Sequence, residues 1–223
     1  MRFYQEIALI KTPDISPYFI WSKLYTQLHL ALVEQQNPDN TVDIGVSFPE
    51  YRCFDKDNKT ITVLGGKLRV FANNQAALEQ LNLTHWFSRL ADYVHTTSIK
   101  EVPNDVSEYV QVARYRPNLN MEKLTRRFMR RESKRTGREI SFEEAQEIQN
   151  QRFVDKAEGK VSLETAKSHY SNPNVKDMPY IKMRSLSGDR EFSLLIKQQP
   201  VERQQQGSFS TYGLSSKATV PNW

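Results

Sequence analysis

The fold is decided first by residues 3–35, FYQEIALIKTPDISPYFIWSKLYTQLHLALVEQ. Residues 3–10 alternate weakly between apolar and polar side chains, which favours a β-strand. Ser16 and Pro17 form a good helix start, a capping hydroxyl followed by proline at the first helical position. Apolar residues then recur every three or four positions, which predicts an amphipathic helix to about Gln35. These residues are Ile20, Leu24, Leu28, Ala31 and Leu32.

The following segments continue the series of predicted strands and helices. Strands are predicted at residues 44–48, 60–64 and 67–71, with a further strand near 106–113. The second and third of these are joined by Gly65-Gly66, which predicts a hairpin with a glycine turn. Asn73 or Asn74 caps a second helix that runs to about Leu90. The order strand, helix, strand, strand, helix, strand is the ferredoxin-like pattern that RRM-type RNA-binding domains share.

The second half of the chain contains a concentrated basic segment. Residues 121–138 hold eight lysines and arginines but only two acidic residues, while the net charge of the whole chain is +5. The rest of the chain is therefore close to neutral, a distribution typical of a protein that binds a polyanion. A helix over about residues 119–136 places cations along one face. The alternative is a solvated surface helix, although such helices usually mix charges of both signs.

Further helices and strands are expected after the basic helix. Gly137 ends it, and Ser141 to Glu144 supplies a capping box for another helix. A third helical stretch is expected from Ser162 to about Ser168, and strands within 180–197 and 209–214.

Composition excludes several classes of protein. Apolar residues make up 38% of the chain and charged residues 26%, and no apolar run approaches the ~20 residues that a membrane-spanning helix needs. The N-terminal segment lacks the pattern of a signal peptide, so we expect a cytoplasmic protein with no membrane partner. A single cysteine, Cys53, and four histidines without metal-ligand spacing predict neither a metal site nor a cofactor.

Five short pieces of sequence are informative together because of their order along the chain. They are Leu28-His29, Gly45-Val46-Ser47-Phe48-Pro49, Arg126-Arg127-Phe128-Met129-Arg130-Arg131, Arg184-Ser185-Leu186-Ser187 with Phe192, and Tyr212-Gly213-Leu214-Ser215. Together they resemble the CRISPR repeat endoribonucleases of the subtype I-F kind. The resemblance implies an α+β protein. A ferredoxin-like (RRM-like) domain at 1–113 would carry the catalytic histidine, and a divergent C-terminal α/β domain at 114–223 would present the arginine-rich helix.

The resemblance also implies a function. A metal-independent endoribonuclease would recognise the CRISPR repeat stem-loop and cleave at its 3′ base, leaving a 2′,3′-cyclic phosphate and a 5′-hydroxyl on the separated strands. It would release guide RNA (crRNA) and stay bound to it, together with other subunits of a type I-F effector (surveillance) complex. The alternative is a hairpin-binding subunit that does not cleave. A general RNA chaperone of RRM type is disfavoured because its paired aromatic motif is absent.

Several site residues are assigned by the resemblance. His29 matches the catalytic histidine, Ser185 the serine that holds the 2′-hydroxyl, and Tyr212 the phenol that orients the histidine. Ser187 matches a second polar contact, and Phe192 an aromatic that stacks at the base of the hairpin. The residues alone favour a packing role for His29, which sits at the rim of an apolar stripe. For Phe192 they leave stacking and a place in the core of a strand equally open.

The remaining assigned residues are cationic. Arg114 matches an arginine that forms a bidentate pair with guanine. Arg116 stands where the family has glutamine, so it either reads a different base or contacts only phosphate. The cations assigned to RNA on the basic helix are Lys123, Arg126, Arg127, Arg130, Arg131 and Lys134. Segments 51–66 and 139–176 are longer than the resemblance predicts, and they would touch a longer hairpin, a neighbouring subunit or nothing.

Overall fold

The computed structural model describes residues 1–56, 59–116, 121–156, 178–185, 188 and 190–223. Helices and strands are mixed, and the strands pair in antiparallel sheets. The described helices are α1 (Pro17–Glu34), α2 (Gln75–Leu81), α3 (Leu83–Trp86), α4 (Met121–Thr136) and α5 (Phe142–Lys156), with a short 3₁₀ turn at Ser88–Leu90. The described strands are β1 (Phe3–Leu9), β2 (Thr41–Val42), β3 (Gly45–Ser47), β4 (Arg52–Lys56), β5 (Lys59–Val63), β6 (Lys67–Ala72), β7 (Val94–Thr96), β8 (Lys100–Glu101), β9 (Glu108–Arg114), β10 (Tyr180–Arg184), β11 (Glu191–Val201), β12 (Phe209–Ser210) and β13 (Val220–Asn222).

The chain divides into two compact units. The first is formed by Met1–Tyr115 together with Asp177–Trp223, and the second by Arg116–Lys176. The expected boundary between residues 113 and 114 falls at the end of β9. The division into 1–113 and 114–223 stays a prediction.

The first sheet of the larger unit has the strand order β3-β6-β1-β7, and β8 also pairs with β1. The predicted hairpin between residues 60–64 and 67–71 is wrong, because β5 pairs with β4 while β6 pairs with β1 and β3. Gly65 and Gly66 form a connection instead of a tight turn. Gly65 adopts a φ of +85° against Glu50, whose carboxylate accepts the N–H of Gly66 at 2.8 Å.

Helix α1 supplies the largest apolar face of the core. Its buried residues are Ile20, Trp21, Leu24, Tyr25, Leu28, Ala31 and Leu32, which confirms the predicted periodicity. Pro17 stands at the start of the helix as expected, but the predicted capping bond is wrong because the Ser16 hydroxyl makes none. The Ser16 carbonyl accepts the N–H of Phe19 at 2.9 Å instead.

The predicted second helix is shorter than expected. Asn74 caps it by accepting the N–H of Ala77 at 2.8 Å, as predicted. Asn82 then adopts left-handed backbone angles, φ 46° and ψ 56°, which separate α2 from α3. Asparagine tolerates this conformation better than most residues, and the apolar spacing alone does not reveal it.

The second sheet has the strand order β10-β11-β9-β13. The strand expected near 106–113 is present as β9, but it lies in this sheet, and β7 with β8 completes the first sheet instead. Helix α1 contacts β10, where the Ser22 hydroxyl donates to the Lys182 carbonyl at 2.6 Å. The Gln198 side chain bonds both backbone groups of Phe48, at 2.9 and 3.0 Å.

Helices α4 and α5 form the described part of the smaller unit. Phe128, Thr125, Ala145 and Asn150 are buried between or beside them. Gly137 ends α4 with a φ of +71°. The Ser141 hydroxyl accepts the N–H of Glu144 at 3.1 Å, as a capping box requires, while the Glu144 carboxylate pairs with Arg138. The helical stretch expected at 162–168 lies outside the described residues.

Candidate active site

His29 lies on the last turns of α1 and is half-buried. Its Nδ1 is 2.8 Å from the backbone carbonyl oxygen of Thr211. Its ring stacks on Tyr212, with centroids 4.1 Å apart and planes 6° from parallel. One polar contact and one ring contact therefore fix both the rotation and the tilt of the imidazole.

The contact with Thr211 also sets which ring nitrogen carries the proton. A carbonyl oxygen can only accept a hydrogen bond, so Nδ1 must be the protonated nitrogen of the neutral ring. Nε2 then carries a lone pair and points away from this bond. A histidine in this tautomer can accept a proton at Nε2.

The loop around Tyr212 is itself held by the core. Strand β12 pairs with β2, and the N–H of Gly213 donates to the Ser210 carbonyl at 2.7 Å. Gly213 has a φ of +70°, and a Cβ there would come within 2.6 Å of Val46. The buried hydroxyl of Tyr25 donates to the Tyr212 carbonyl at 2.9 Å.

Tyr212 is flanked by charge as well as by His29. Burial raises the pKa of its phenol, and the positive charge of Arg114 partly opposes this shift. Arg114 ends β9 and is exposed, with its guanidinium 5.5 Å from the ring centre of Phe192 on β11. The structure thus brings His29 against Tyr212 and Arg114 against Phe192, with the charge of Arg114 near enough to act on the Tyr212 phenol.

Two serines were also expected at this site. Ser185 directly follows β10 and is half-buried, and its N–H donates to the Arg190 carbonyl at 2.8 Å. Ser187 lies outside the described residues. The role of Ser185 toward the 2′-hydroxyl stays a prediction.

The basic helix, α4, exposes most of its cations. Arg126, Arg127, Arg130, Arg131 and Lys134 are exposed. Arg126 pairs with Glu122 at 2.9 Å in a surface ion pair. Within the described part of the chain, no carboxylate lies within ion-pair distance of Arg127, Arg130, Arg131 or Lys134. These four cations are therefore available to an external anion.

Two further cations complete the expected set. Arg116 belongs to the smaller unit and is exposed. The side chain of Lys123 lies outside the described part of the structure. Assignment of both residues to RNA stays a prediction.

The described residues contain neither a cluster of metal-binding side chains nor a helix suited to a membrane. No group of three histidine, cysteine or carboxylate side chains in the described ranges is placed to hold a metal ion. No helix in those ranges is both long and apolar enough to cross a membrane.

Sequence patterns missed three contributors to the site. Thr211 acts through its backbone carbonyl, which no side-chain pattern signals. Tyr25 is a buried residue of α1 whose hydroxyl supports the Tyr212 loop, a role that apolar periodicity does not indicate. Gly213 belongs to the Tyr212-Gly213-Leu214-Ser215 motif, and a glycine there is the sequence signal for a turn with positive φ.

Two solved structures have only low similarity to this chain. One is described as "An RAMP protein binding different RNA substrates", with 11% identity, a TM-score of 0.35 and 99% coverage of both chains. Another is described as "Characterization of a Cas6-related gene from Pyrococcus furiosus", with 10% identity, a TM-score of 0.32, and coverage of 99% and 98%.

Sequence relatives are much closer. The chain is 30% identical over 222 residues to the CRISPR-associated endonuclease Cas6/Csy4 of Pseudomonas aeruginosa (strain UCBPP-PA14), covering 99% of each. It is 28% identical over 226 residues to the protein of the same name from Escherichia coli (strain UTI89 / UPEC), again covering 99% of each. A family model described as CRISPR-associated protein (Cas_Csy4) matches residues 4–223. These matches confirm the resemblance carried by the five sequence pieces, and the chain belongs to the Cas_Csy4 family of CRISPR-associated proteins.

Proposed function

We propose that this protein is a metal-independent endoribonuclease that cleaves CRISPR repeat transcripts at the 3′ base of their hairpin to give guide RNAs. Its relatives are named as CRISPR-associated endonucleases. The observation that carries the chemistry is the fixation of His29 by the Thr211 carbonyl and the Tyr212 ring, which presents Nε2 as a base.

The reaction needs few groups because the nucleophile belongs to the substrate. Nε2 of His29 accepts the proton of a ribose 2′-hydroxyl, which Ser185 holds. The 2′-oxygen attacks the adjacent phosphorus, the bond from phosphorus to the 5′-oxygen breaks, and that oxygen takes up a proton. The products are a 2′,3′-cyclic phosphate and a 5′-hydroxyl. Attack by a neighbouring group gains the large advantage of proximity.

Recognition is divided between base contacts and phosphate contacts. Phe192 stacks at the base of the hairpin, and Arg114, already placed over that ring, bonds a guanine edge. Arg116 reads a second base or a phosphate, and Ser187 adds a polar contact. Bases inside the deep, narrow major groove of A-form RNA are poorly accessible. The cations of α4 therefore act mainly on phosphates, including Lys123 in the first turn.

The strand order supports a ferredoxin-like fold for the N-terminal part. The antiparallel order β3-β6-β1-β7, with α1 between β1 and β3 and α2 between β6 and β7, is the order of a split βαβ sheet. All strands of this sheet precede residue 113, and α4, α5 and β10 to β13 follow it. We further propose a cytoplasmic protein that stays on its product with other subunits of a type I-F complex.

A single atom of the substrate tests this function. Replacing the ribose just upstream of the scissile phosphate by deoxyribose removes the attacking oxygen and leaves the stem and phosphates unchanged. Binding should persist and cleavage should stop, while the all-ribose hairpin should be cut in EDTA. Cleavage of the deoxy substrate at the same bond would assign the attack to water. Binding of the all-ribose hairpin without cleavage would favour the alternative of a structural subunit.

A further inference from the structure

A cleft of about 380 Å³ lies between α4 and α5 within the smaller unit. Four of its lining residues are arginines, namely Arg127, Arg131, Arg135 and Arg152. The first three follow one another at steps of four along α4, so they form a row on one wall. Arg152 belongs to α5 and lies on the other wall.

The charges around this cleft are poorly compensated. Its one acidic lining residue is Glu132, which pairs with Arg135. Among the residues that the structure describes, no carboxylate is within ion-pair distance of Arg127, Arg131 or Arg152. All four arginines are exposed. Cations of the same sign grouped around one cleft repel each other, and an anion between them relieves that repulsion.

Arg152 is also held in position. Its guanidinium lies 4.7 Å from the ring centre of Phe128, a buried residue of α4. Stacking on an aromatic face leaves the N–H groups at the guanidinium edge available for hydrogen bonds. The planar fork of arginine suits phosphate oxygens better than the point charge of lysine.

We propose that the α4–α5 cleft extends the phosphate-binding face of α4, so that Arg152 of α5 joins Arg127 and Arg131 of α4 in holding phosphodiester groups of an RNA strand. The identity of that RNA as a repeat hairpin rests on the proposed function. The site assigns a role to part of segment 139–176, whose extra length the resemblance leaves open. RNA contacts then extend beyond α4 to a helix that carries more acidic than basic residues.

The proposal is tested with Arg152→Gln, and Arg89→Gln is the matched control because Arg89 is exposed on the larger unit. Two RNAs are titrated by fluorescence anisotropy at several salt concentrations, the repeat hairpin and a short duplex of arbitrary sequence. Because a charged hydrogen bond to phosphate is lost, Arg152→Gln should bind both RNAs about 10- to 150-fold more weakly. The slope of log affinity against log salt should fall by about 0.7–0.9. Arg89→Gln should keep the wild-type slope.

Two further variants separate charge from helix packing. Arg152→Lys keeps the charge but loses the planar fork, so it should keep the wild-type salt slope at reduced affinity. A slope as shallow as that of Arg152→Gln would trace the effect to disturbed α4–α5 packing and overturn the proposal. The pair Arg131→Gln and Arg152→Gln should show losses that do not add, since both residues hold the same strand.

The outcomes also separate this site from the proposed function. If the repeat hairpin is cleaved and Arg152→Gln behaves like Arg89→Gln on both RNAs, the cleft is not a binding site and the nuclease function stands. If the hairpin is neither bound nor cleaved but Arg152→Gln weakens duplex binding, the cleft stands and the nuclease function fails.

Discussion

His29 can act as a base only if its imidazole is both oriented and in the correct tautomer, and both conditions depend on its two neighbours. Replacing His29 with alanine should lower the single-turnover cleavage rate by roughly 10² to 10⁴, the usual share of acid-base catalysis. Hairpin affinity should change little because His29 carries no phosphate contact in this scheme. The control is His85→Ala, an exposed histidine on α3. Cleavage by His29→Ala at the wild-type rate would remove this residue from the reaction.

The Tyr212 ring stacks on His29, so two substitutions can distinguish the effect of the ring from that of the phenol hydroxyl. Tyr212→Phe keeps the stack, while Tyr212→Ala removes it. We expect cleavage by the alanine variant to be about two- to tenfold slower than by the phenylalanine variant, the equivalent of about 0.5–1.5 kcal/mol.

Burial raises the pKa of Tyr212, so its phenol stays neutral at pH 6 to 9. Rate profiles of the wild type and Tyr212→Phe should therefore share one shape in that range. Equal losses in both variants would instead assign the role to the phenol.

At the residue scale, sequence identified side chains but not backbone groups. His29 and Tyr212 lie in quoted motifs, and the structure brings them into direct contact. The carbonyl of Thr211 has no sequence signal, because any residue at that position supplies the same oxygen. The Ser16 cap was predicted wrongly for a different reason. Serine is preferred at a helix start, but this preference does not guarantee that its hydroxyl turns toward the backbone.

At the scale of elements, the loop that carries Tyr212 depends on one glycine. Gly213→Ala would place a Cβ within 2.6 Å of Val46 in a residue with a φ of +70°. Left-handed angles cost a non-glycine residue about 1–2 kcal/mol, and crowding in the core adds about 1–3 kcal/mol. We expect lower stability in urea unfolding and a loss of cleavage that exceeds the loss of hairpin binding.

The combination Gly213→Ala with Val46→Ala is the control for this loop. It removes the crowding but not the backbone strain, so it should recover part of the cleavage. Wild-type cleavage by Gly213→Ala alone would show that the loop tolerates a different path.

Helix α4 should contribute affinity through phosphates and little sequence discrimination. The double variant Arg127→Ala, Arg130→Ala should bind the hairpin more weakly and lower the salt slope by roughly 0.7–0.9 for each lost contact. The control is Arg89→Ala, Arg203→Ala, which removes two exposed arginines from the larger unit. Measuring affinity at four or more salt concentrations gives both slopes. A slope equal to that of the wild type would remove this face of α4 from the interface.

The sequence predicted best those helices that have regular apolar spacing and a proline or glycine marking an end. Helices α1 and α4 lie within two residues of their expected bounds because apolar spacing, Pro17 and Gly137 all mark them. The pairing of β5 and β6 was predicted wrongly because two glycines between two apolar runs look like a hairpin turn. The hydrogen bond from Gly66 to the Glu50 carboxylate, which holds the connection between β5 and β6, joins residues distant in sequence.

At the scale of the whole molecule, the buried Tyr25 makes stability sensitive to alkaline pH. Burial raises the pKa of Tyr25 far above its ordinary value, which is about 10 in an unfolded chain. Below pH 10 its contribution is complete. Above that, the unfolded chain loses the proton first, so the free energy of unfolding falls by up to about 1.4 kcal/mol per pH unit.

Tyr25→Phe isolates this contribution. The variant should lose about 0.5–1.5 kcal/mol at pH 7 because the bond to the Tyr212 carbonyl is gone. Between pH 10 and 11 its stability should fall less steeply than that of the wild type. Urea unfolding at several pH values gives both slopes, and parallel slopes would mean that Tyr25 ionises equally in the folded and unfolded chain.

At the scale of the whole molecule, the sequence did not predict which strands pair in which sheet. Strand β9 was expected to complete the first sheet, yet it pairs with β11 and β13. Strand periodicity shows that a segment is half-buried but not which partner covers its edge. The five pieces identified the family because they lie in order along the chain. The site residues that they suggest stay a prediction, and the pieces leave strand pairing open.

The pairing of β12 with β2 joins Phe209 to Val42 and has a consequence for biosynthesis. A ribosome releases His29 early, but the carbonyl of Thr211 and the ring of Tyr212 follow much later. Contacts between such distant segments form slowly because a long loop must close first. A nascent chain halted before residue 209 therefore contains His29 without the carbonyl of Thr211 and the ring of Tyr212 that orient it. In the proposed mechanism, RNA cleavage therefore awaits the synthesis of residues 209–212.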